Sequence, residues 1–143
     1  KKKVTNQKEE LIPGVKMSGF ARLFEEEKPD QTGSWYGSTQ WSPIHEYNLS
    51  FLNAKERDFN DKLIVKGFVT MNEVYEELGF PPTEAGMICG WRYKSERGDG
   101  YISFRPRGID GNWAMGVDGD AIVLDFNIDG VIFDENVARG ELK

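Results

Sequence analysis

Asp125, Asn127, Asp129 and Gly130 stand in the order D-x-N-x-D-G, the opening half of a calcium-binding helix–loop–helix loop. Such a loop needs oxygen ligands at alternate positions, a glycine for the sharp turn and a bidentate glutamate at its twelfth place. Here the twelfth residue is Asn136, Glu135 comes one place too early, and the flanks read as strand. Asp125, Asn127 and Asp129 are therefore read as the wet edge of a strand entering an Asp-Gly turn, and no metal site is assigned. His45 and Cys89, the single histidine and the single cysteine, are the available nucleophile–base dyad. His45 falls in the first turn of an expected helix and Cys89 inside an apolar strand before Gly90-Trp91, where ordinary packing explains it. One cysteine excludes an internal disulfide, and one histidine excludes a multi-histidine metal centre.

Acidic residues are abundant enough for a glycosidase pair, but spacing singles out no two of them. Asp99, Asp110, Asp118 and Asp129 each precede a glycine, which turn chemistry explains. No glycine pattern joins a strand to a helix in the manner of a nucleotide-binding loop. The sequence assigns no catalytic residue and no cofactor. What remains for recognition is aromatic and basic. Trp35, Tyr36, Trp41, Trp91, Tyr93, Tyr101 and Trp113 are the material of a platform for sugars, peptides or a partner protein, although a small domain needs most of them in its core. Trp35, Tyr36 and Trp41, on an irregular arm, are the expected partner contacts. Arg105 and Arg107 form a small basic loop on an acidic body and join them.

The elements that must position these residues are legible from punctuation and periodicity. Residues 42–66 read as a long helix, with Ser42 as N-cap, Pro43 at the first helical position and Gly67 as the stop. Its apolar stripe is Ile44, Tyr47, Phe51, Phe59 and Leu63, widened by Leu52 and Ile64. A short helix follows Thr70-Met71-Asn72-Glu73, a capping box flanked by Val69 and Val74 as a hydrophobic staple. Gly79 and Pro81-Pro82 end it. Residues 21–27 read as a further short helix ended by Pro29. From Met87 onward four Asp-Gly pairs, at 99–100, 110–111, 118–119 and 129–130, separate β-rich runs at 87–93, 101–105, 113–117, 121–128 and 131–133. In the fourth run Ile122, Leu124, Phe126 and Ile128 share one face and Val123, Asp125 and Asn127 the other, the pattern of a sheet with one buried side. The expected fold is α+β, with one long and one short helix packed on a mainly antiparallel meander of four to five strands.

Length and charge bound the organisation. The 143 residues, 38% of them hydrophobic and 29% charged, make one domain with a core. Residues 1–16 carry five lysines against two glutamates, a net of +3, so the rest carries −9 of the overall −6. They read as a basic flexible tail, residues 17–41 as an aromatic-rich arm, and residues 42–143 as the α+β domain. A net acidic chain argues against non-specific nucleic-acid binding. No stretch approaches the roughly 18–20 apolar residues of a spanning helix, so membrane association is expected only if an upstream segment was removed. Lys1 is not a methionine, which suits a processed product or a piece of something longer.

The run Gly67-Phe68-Val69-Thr70-Met71-Asn72-Glu73-Val74-Tyr75-Glu76-Glu77-Leu78-Gly79-Phe80-Pro81 comes with Gly90-Trp91, Asp99-Gly100-Tyr101-Ile102-Ser103-Phe104 and Leu124-Asp125-Phe126. Together they resemble the C-terminal module of an uncharacterised family encoded by phages and prophages of Gram-positive bacteria. The resemblance is best over 66–134 and looser over 42–65. It implies hydrophobic, membrane-associated segments upstream in related proteins and no established catalytic residues. The leading expectation is a non-enzymatic structural or protein-interaction module, virion- or assembly-associated, that binds a protein partner or its own copies in the bacterial cytoplasm or phage particle. The alternatives are an acidic host-directed inhibitor that binds a basic host protein, and a small-molecule or glycan binder that uses the tryptophans.

Overall fold

Thr70, Glu73 and two glycines set the helical part of the fold. In the computed structural model, which describes residues 18–29, 31–33, 35–108 and 116–133, helix α1 spans His45–Lys66 and helix α2 spans Met71–Leu78. The Thr70 hydroxyl accepts from the Glu73 amide, and the Glu73 carboxylate accepts from the Thr70 amide at 2.8 Å, so the capping box is closed. Val69 and Val74 are fully buried beside it. Gly67 and Gly79 take the left-handed conformation, at φ 92° and 85°, that ends each helix as their sequence positions require.

Among the described residues, eight short strands accompany the helices: β1 Arg22–Phe24, β2 Lys28–Pro29, β3 Trp35–Tyr36, β4 Phe68–Thr70, β5 Cys89–Arg92, β6 Arg107–Gly108, β7 Ile122–Leu124 and β8 Gly130–Val131. All named pairings are antiparallel. β1, β7 and β6 form one three-stranded sheet, β4, β5 and β8 a second, and β2 with β3 a two-stranded ribbon. The class is α+β. The strands divide between two sheets because their neighbours lie far apart in sequence: Leu23 opposes Val123, and Val69 opposes Trp91. At Gly90 a side chain would collide with the Val69 carbonyl, so the close approach of β5 to β4 requires glycine there.

The core lies between the helices and both sheets. Trp91, Tyr75, Phe24, Phe104 and Ile102 are buried in it, and aromatic edges meet faces in the pairs Tyr75–Phe126 and Phe104–Phe126, 6.0 and 5.6 Å apart.

Four expectations are corrected. Residues 22–24 are strand β1, not helix, because pairing with Ile122–Leu124 outweighs a weak local helical pattern. Helix α1 begins at His45, with Ser42 and Pro43 ahead of it. Ser42 Oγ accepts from the Ile44 amide, and the first helical amide, His45, is capped by the remote Asp118 carboxylate at 3.0 Å. The inward face of α1 carries His45, Asn48, Leu52, Phe59 and Leu63, while Ile44, Ile64 and Tyr47 (64% exposed) face outward. Finally, the run 121–128 is not one-sided: Val123 is buried because β7 is the central strand of its sheet, and Asn127, beyond the strand, turns inward. Left-handed glycines do follow Asp99, Asp118 and Asp129, whereas Asp110 and Trp113 lie outside the described residues.

Glu73 also ties α2 to α1. Its Oε1 meets Lys62 Nζ at 2.6 Å and Lys66 Nζ at 3.2 Å. Burial alone would raise its pKa. The hydrogen bonds from Lys62, the Thr70 amide and Lys66 outweigh burial and bring it from an ordinary 4.5 to about 2. A depressed carboxylate stabilises the fold above its unfolded pKa, and that contribution is lost as pH falls from 4.5 toward 2. Burial raises Asp129 and Glu25, which act in the opposite sense. They are present in both proteins of a comparison and cancel in the difference. Urea midpoints of the native chain and Glu73→Gln are expected to differ clearly at neutral pH and to converge across that acid window. A gap independent of pH would contradict the assignment.

Candidate functional site

An extended segment without regular strand pairing, residues 101–104, organises a polar surface of the fold. Its inward side chains, Ile102 and Phe104, are buried in the core. Its backbone must still be satisfied, and side chains do most of it. From helix α1, Asn60 Oδ1 accepts from the Ile102 amide at 2.8 Å and Asn60 Nδ2 donates to the Ile102 carbonyl at 2.9 Å. One turn earlier, Glu56 Oε2 accepts from the Phe104 amide at 2.8 Å. From the other side, Asn127 Oδ1 accepts from the Ser103 amide, and Asn127 Nδ2 donates to the Tyr101 carbonyl. The amides of Asp125 and Asn127 donate to the carbonyls of Phe104 and Ser103.

Asn127, 6% exposed, is the hub of this network. Beyond the bonds to 101–103, its Oδ1 accepts from the Trp91 indole at 2.9 Å and its Nδ2 donates to Asp99 Oδ2 at 3.0 Å. Above it opens a hollow of about 490 Å³ whose lining includes Arg97, Asp99, Arg105, Asp125 and Asn127. Arg105 Nη2 lies 3.5 Å from Asp99 Oδ2, with both side chains about half exposed. Arg107 pairs with Asp125 at 3.0 Å in a less exposed setting. Arg97 Nη2 donates to the Val131 carbonyl at 2.7 Å. Tyr101, two residues from Asp99 and with its carbonyl bonded to Asn127 Nδ2, is 54% exposed.

The calcium-like residues are thus brought to one region with separate commitments. Asp125 holds Arg107, Asn127 holds backbone and indole, and Asp129 Oδ2 accepts from the Arg92 amide at 2.9 Å. Burial pushes the Asp129 carboxyl up, and Asp99 adds to the push. The Arg92 amide, Ser95 and Arg97 offset it in part. Gly98 packs against this carboxylate so closely that a Cβ would overlap Oδ1. Among the described residues no cluster of three or more His, Cys, Asp or Glu is placed to hold a metal ion.

The other expected site residues are dispersed. His45 and Cys89 are both buried and share no hydrogen bond, and burial raises the Cys89 thiol. Trp41 is half-buried against the core, with its indole donating to the Asp120 carbonyl at 3.2 Å. Trp91 is buried outright. Tyr36, also half-buried, has the Lys28 ammonium 5.7 Å from its ring centroid, while for Trp35 only its place in β3 is described. Sequence reasoning found Arg105 and Arg107 and counted Tyr101 among the candidate aromatics, but missed Arg97. The signal was present in the charge distribution: residues 92–107 hold Arg92, Lys94, Arg97, Arg105 and Arg107 against Glu96 and Asp99 in a chain of net −6.

Fold and site together define a small α+β domain in which Asn60, Glu56, Asn127 and Asp129 hold the chain's own backbone. The chain belongs to a family of unknown function, DUF6353, whose model matches residues 1–135. The match therefore takes in residues 1–41 as well as the chain from 42 to 135. No curated protein and no solved structure matches the chain. Among the described residues no helix is long and apolar enough to cross a membrane.

Replacing Asn127 by alanine strips the Ser103 amide and the Tyr101 carbonyl of their side-chain partner and leaves the Trp91 indole only its longer bond, at 3.1 Å, to the Asn127 backbone carbonyl. That is expected to cost about 3 kcal/mol of stability in urea titrations, and to change the tryptophan emission of the folded protein through Trp91. A loss under about 1 kcal/mol would show that the network around Asn127 is dispensable.

Proposed function

We propose that this chain is a non-enzymatic protein-interaction module of phage or prophage origin, structural or assembly-associated in role, which contacts its partner through the face carrying Asp99, Tyr101 and Arg105. The observation that carries this reading is the division of labour among the polar side chains. Four of the polar groups inside the fold, Asn60, Glu56, Asn127 and Asp129, each hold a backbone amide of the chain itself, and the buried His45 and Cys89 are not bonded to one another. At the surface stand an exposed tyrosine and a half-exposed arginine, kinds that dominate protein contacts, with a half-exposed aspartate paired to the arginine. Phage origin is supported by the motif resemblance at 66–134, and the phage particle or bacterial cytoplasm follows from it as the proposed location.

Particles of the encoding phage, or cells producing it, are expected to yield the chain in constant stoichiometry with one protein, a further copy of itself included. Photo-crosslinks from position 101 are expected to reach that partner. A chain found in no particle and in no protein complex of any kind would overturn the reading.

A further inference from the structure

We infer that the partner of this face is a second copy of the same chain, docked about a two-fold axis so that Tyr101 of each copy enters the hollow beside Tyr101 of the other. The inference rests on the interaction-module reading and names its partner. A two-fold interface requires one patch that is complementary to itself, where each residue finds on the partner what the partner finds on it. Two features meet that requirement side by side. Tyr101, 54% exposed, is a knob whose own carbonyl is bonded to Asn127 Nδ2, and Asn127 lines the adjoining hollow of about 490 Å³. Placed about a two-fold axis, a knob next to a hole makes two equivalent insertions. Asp99 and Arg105 repeat the logic in charge.

The Arg105–Asp99 pair inside one chain is long, at 3.5 Å, and about half exposed on both sides. Pairs of that kind contribute little within a monomer and exchange partners readily. In the dimer each Arg105 reaches the opposite Asp99, and the tyrosines screen the exchanged pairs from water. The neighbouring sheet edge is a poor rival for the same copy. On edge strand β8, the Val131 carbonyl already accepts from Arg97, which blunts strand-to-strand addition there.

Sedimentation velocity of the full chain from micromolar to millimolar concentration tests this. The native chain is expected to shift from monomer to dimer as concentration rises and to return toward monomer as salt is added. Tyr101→Ala, whose side chain takes no part in the hydrogen-bonded network, is expected to weaken the dimer about tenfold or more. Asp99→Arg and Arg105→Asp are each expected to be monomeric alone, because each places like charges opposite one another. An equimolar mixture of the two is expected to restore the dimer, since both cross-chain pairs are then of opposite sign. Neither variant regains a pair within its own chain, so this rescue reads the contact between copies and not the fold.

Three results would overturn the inference: a monomer at every concentration, a dimer indifferent to Tyr101→Ala, or a mixture that stays monomeric while both variants keep the native circular dichroism. If the chain is monomeric yet crosslinks from position 101 to a different protein, this inference fails and the broader reading stands. If it has no protein partner at all, both fail.

Discussion

The constraint on which the rest of the structure depends is the need to satisfy a buried backbone that has no regular sheet to join. Residues 101–104 bring Ile102 and Phe104 into the core, and their amides and carbonyls come with them. Burying such groups unpaired would cost several times what either side chain gains, so partners are obligatory. Of the seven groups with assigned partners, five are bonded to side chains of Asn60, Glu56 and Asn127, and two to the amides of Asp125 and Asn127. Asparagine suits the task because one amide group supplies both a donor and an acceptor. Asn60 makes a two-bond clasp to Ile102, as a neighbouring strand would.

That solution explains why helix α1 lacks a clean apolar stripe. Its inward face holds Leu52, Phe59 and Leu63, but also Asn48 and, partly buried, Glu56 and Asn60. Asn48 repeats the clasp at the helix start, with its side chain bonded to both the amide and the carbonyl of Ser42. Asp118 closes the first helical amide from a loop more than seventy residues away. The helix is thereby fixed by directional bonds to irregular chain at its start and middle, and by apolar contact and the Glu73 ion pairs toward its end. Directional bonds set position more narrowly than apolar contact alone, which is what a segment without a sheet ladder needs.

Local signals were legible in the sequence and long-range ones were not. The capping box at Thr70 and Glu73, the staple at Val69 and Val74, and the glycine stops at Gly67 and Gly79 are decided within a few residues, and the structure has them where the sequence places them. Ser42 matched the N-cap pattern equally well, yet a distant aspartate took the helix start, and nothing near Ser42 announces Asp118. Strand β1 was hidden because its reason to be extended is Ile122–Leu124, nearly a hundred residues on. The apolar spacing of α1 pointed to Tyr47 and Ile64, because periodicity counts hydrophobic side chains and overlooks asparagines that face inward to bond a backbone. At the site, Arg105 and Arg107 were conspicuous by type. Asn127 looked like a fragment of a calcium loop because spacing cannot distinguish an oxygen that faces an ion from one that faces an indole.

The surface character of the hollow follows from the same backbone constraint. An extended segment alternates its side chains between two sides. With Ile102 and Phe104 committed inward, Tyr101 and Arg105 are forced outward. Arg105 is further turned by a left-handed backbone, at φ 44°. That is an uncommon state for a residue with a side chain, held here between the bonded segment and the pairing of β6 with β7. Asn127, bonded through one side-chain amide to the Tyr101 carbonyl and to Asp99, then ties the Tyr101 backbone and the Asp99 carboxylate together. A substitution at Asn127 therefore acts on the surface as well as on the core: it releases the rim of the hollow at the same moment as it unsatisfies the interior. The polar network and the face it presents are one structure, and the geometry of the second is the consequence of the first.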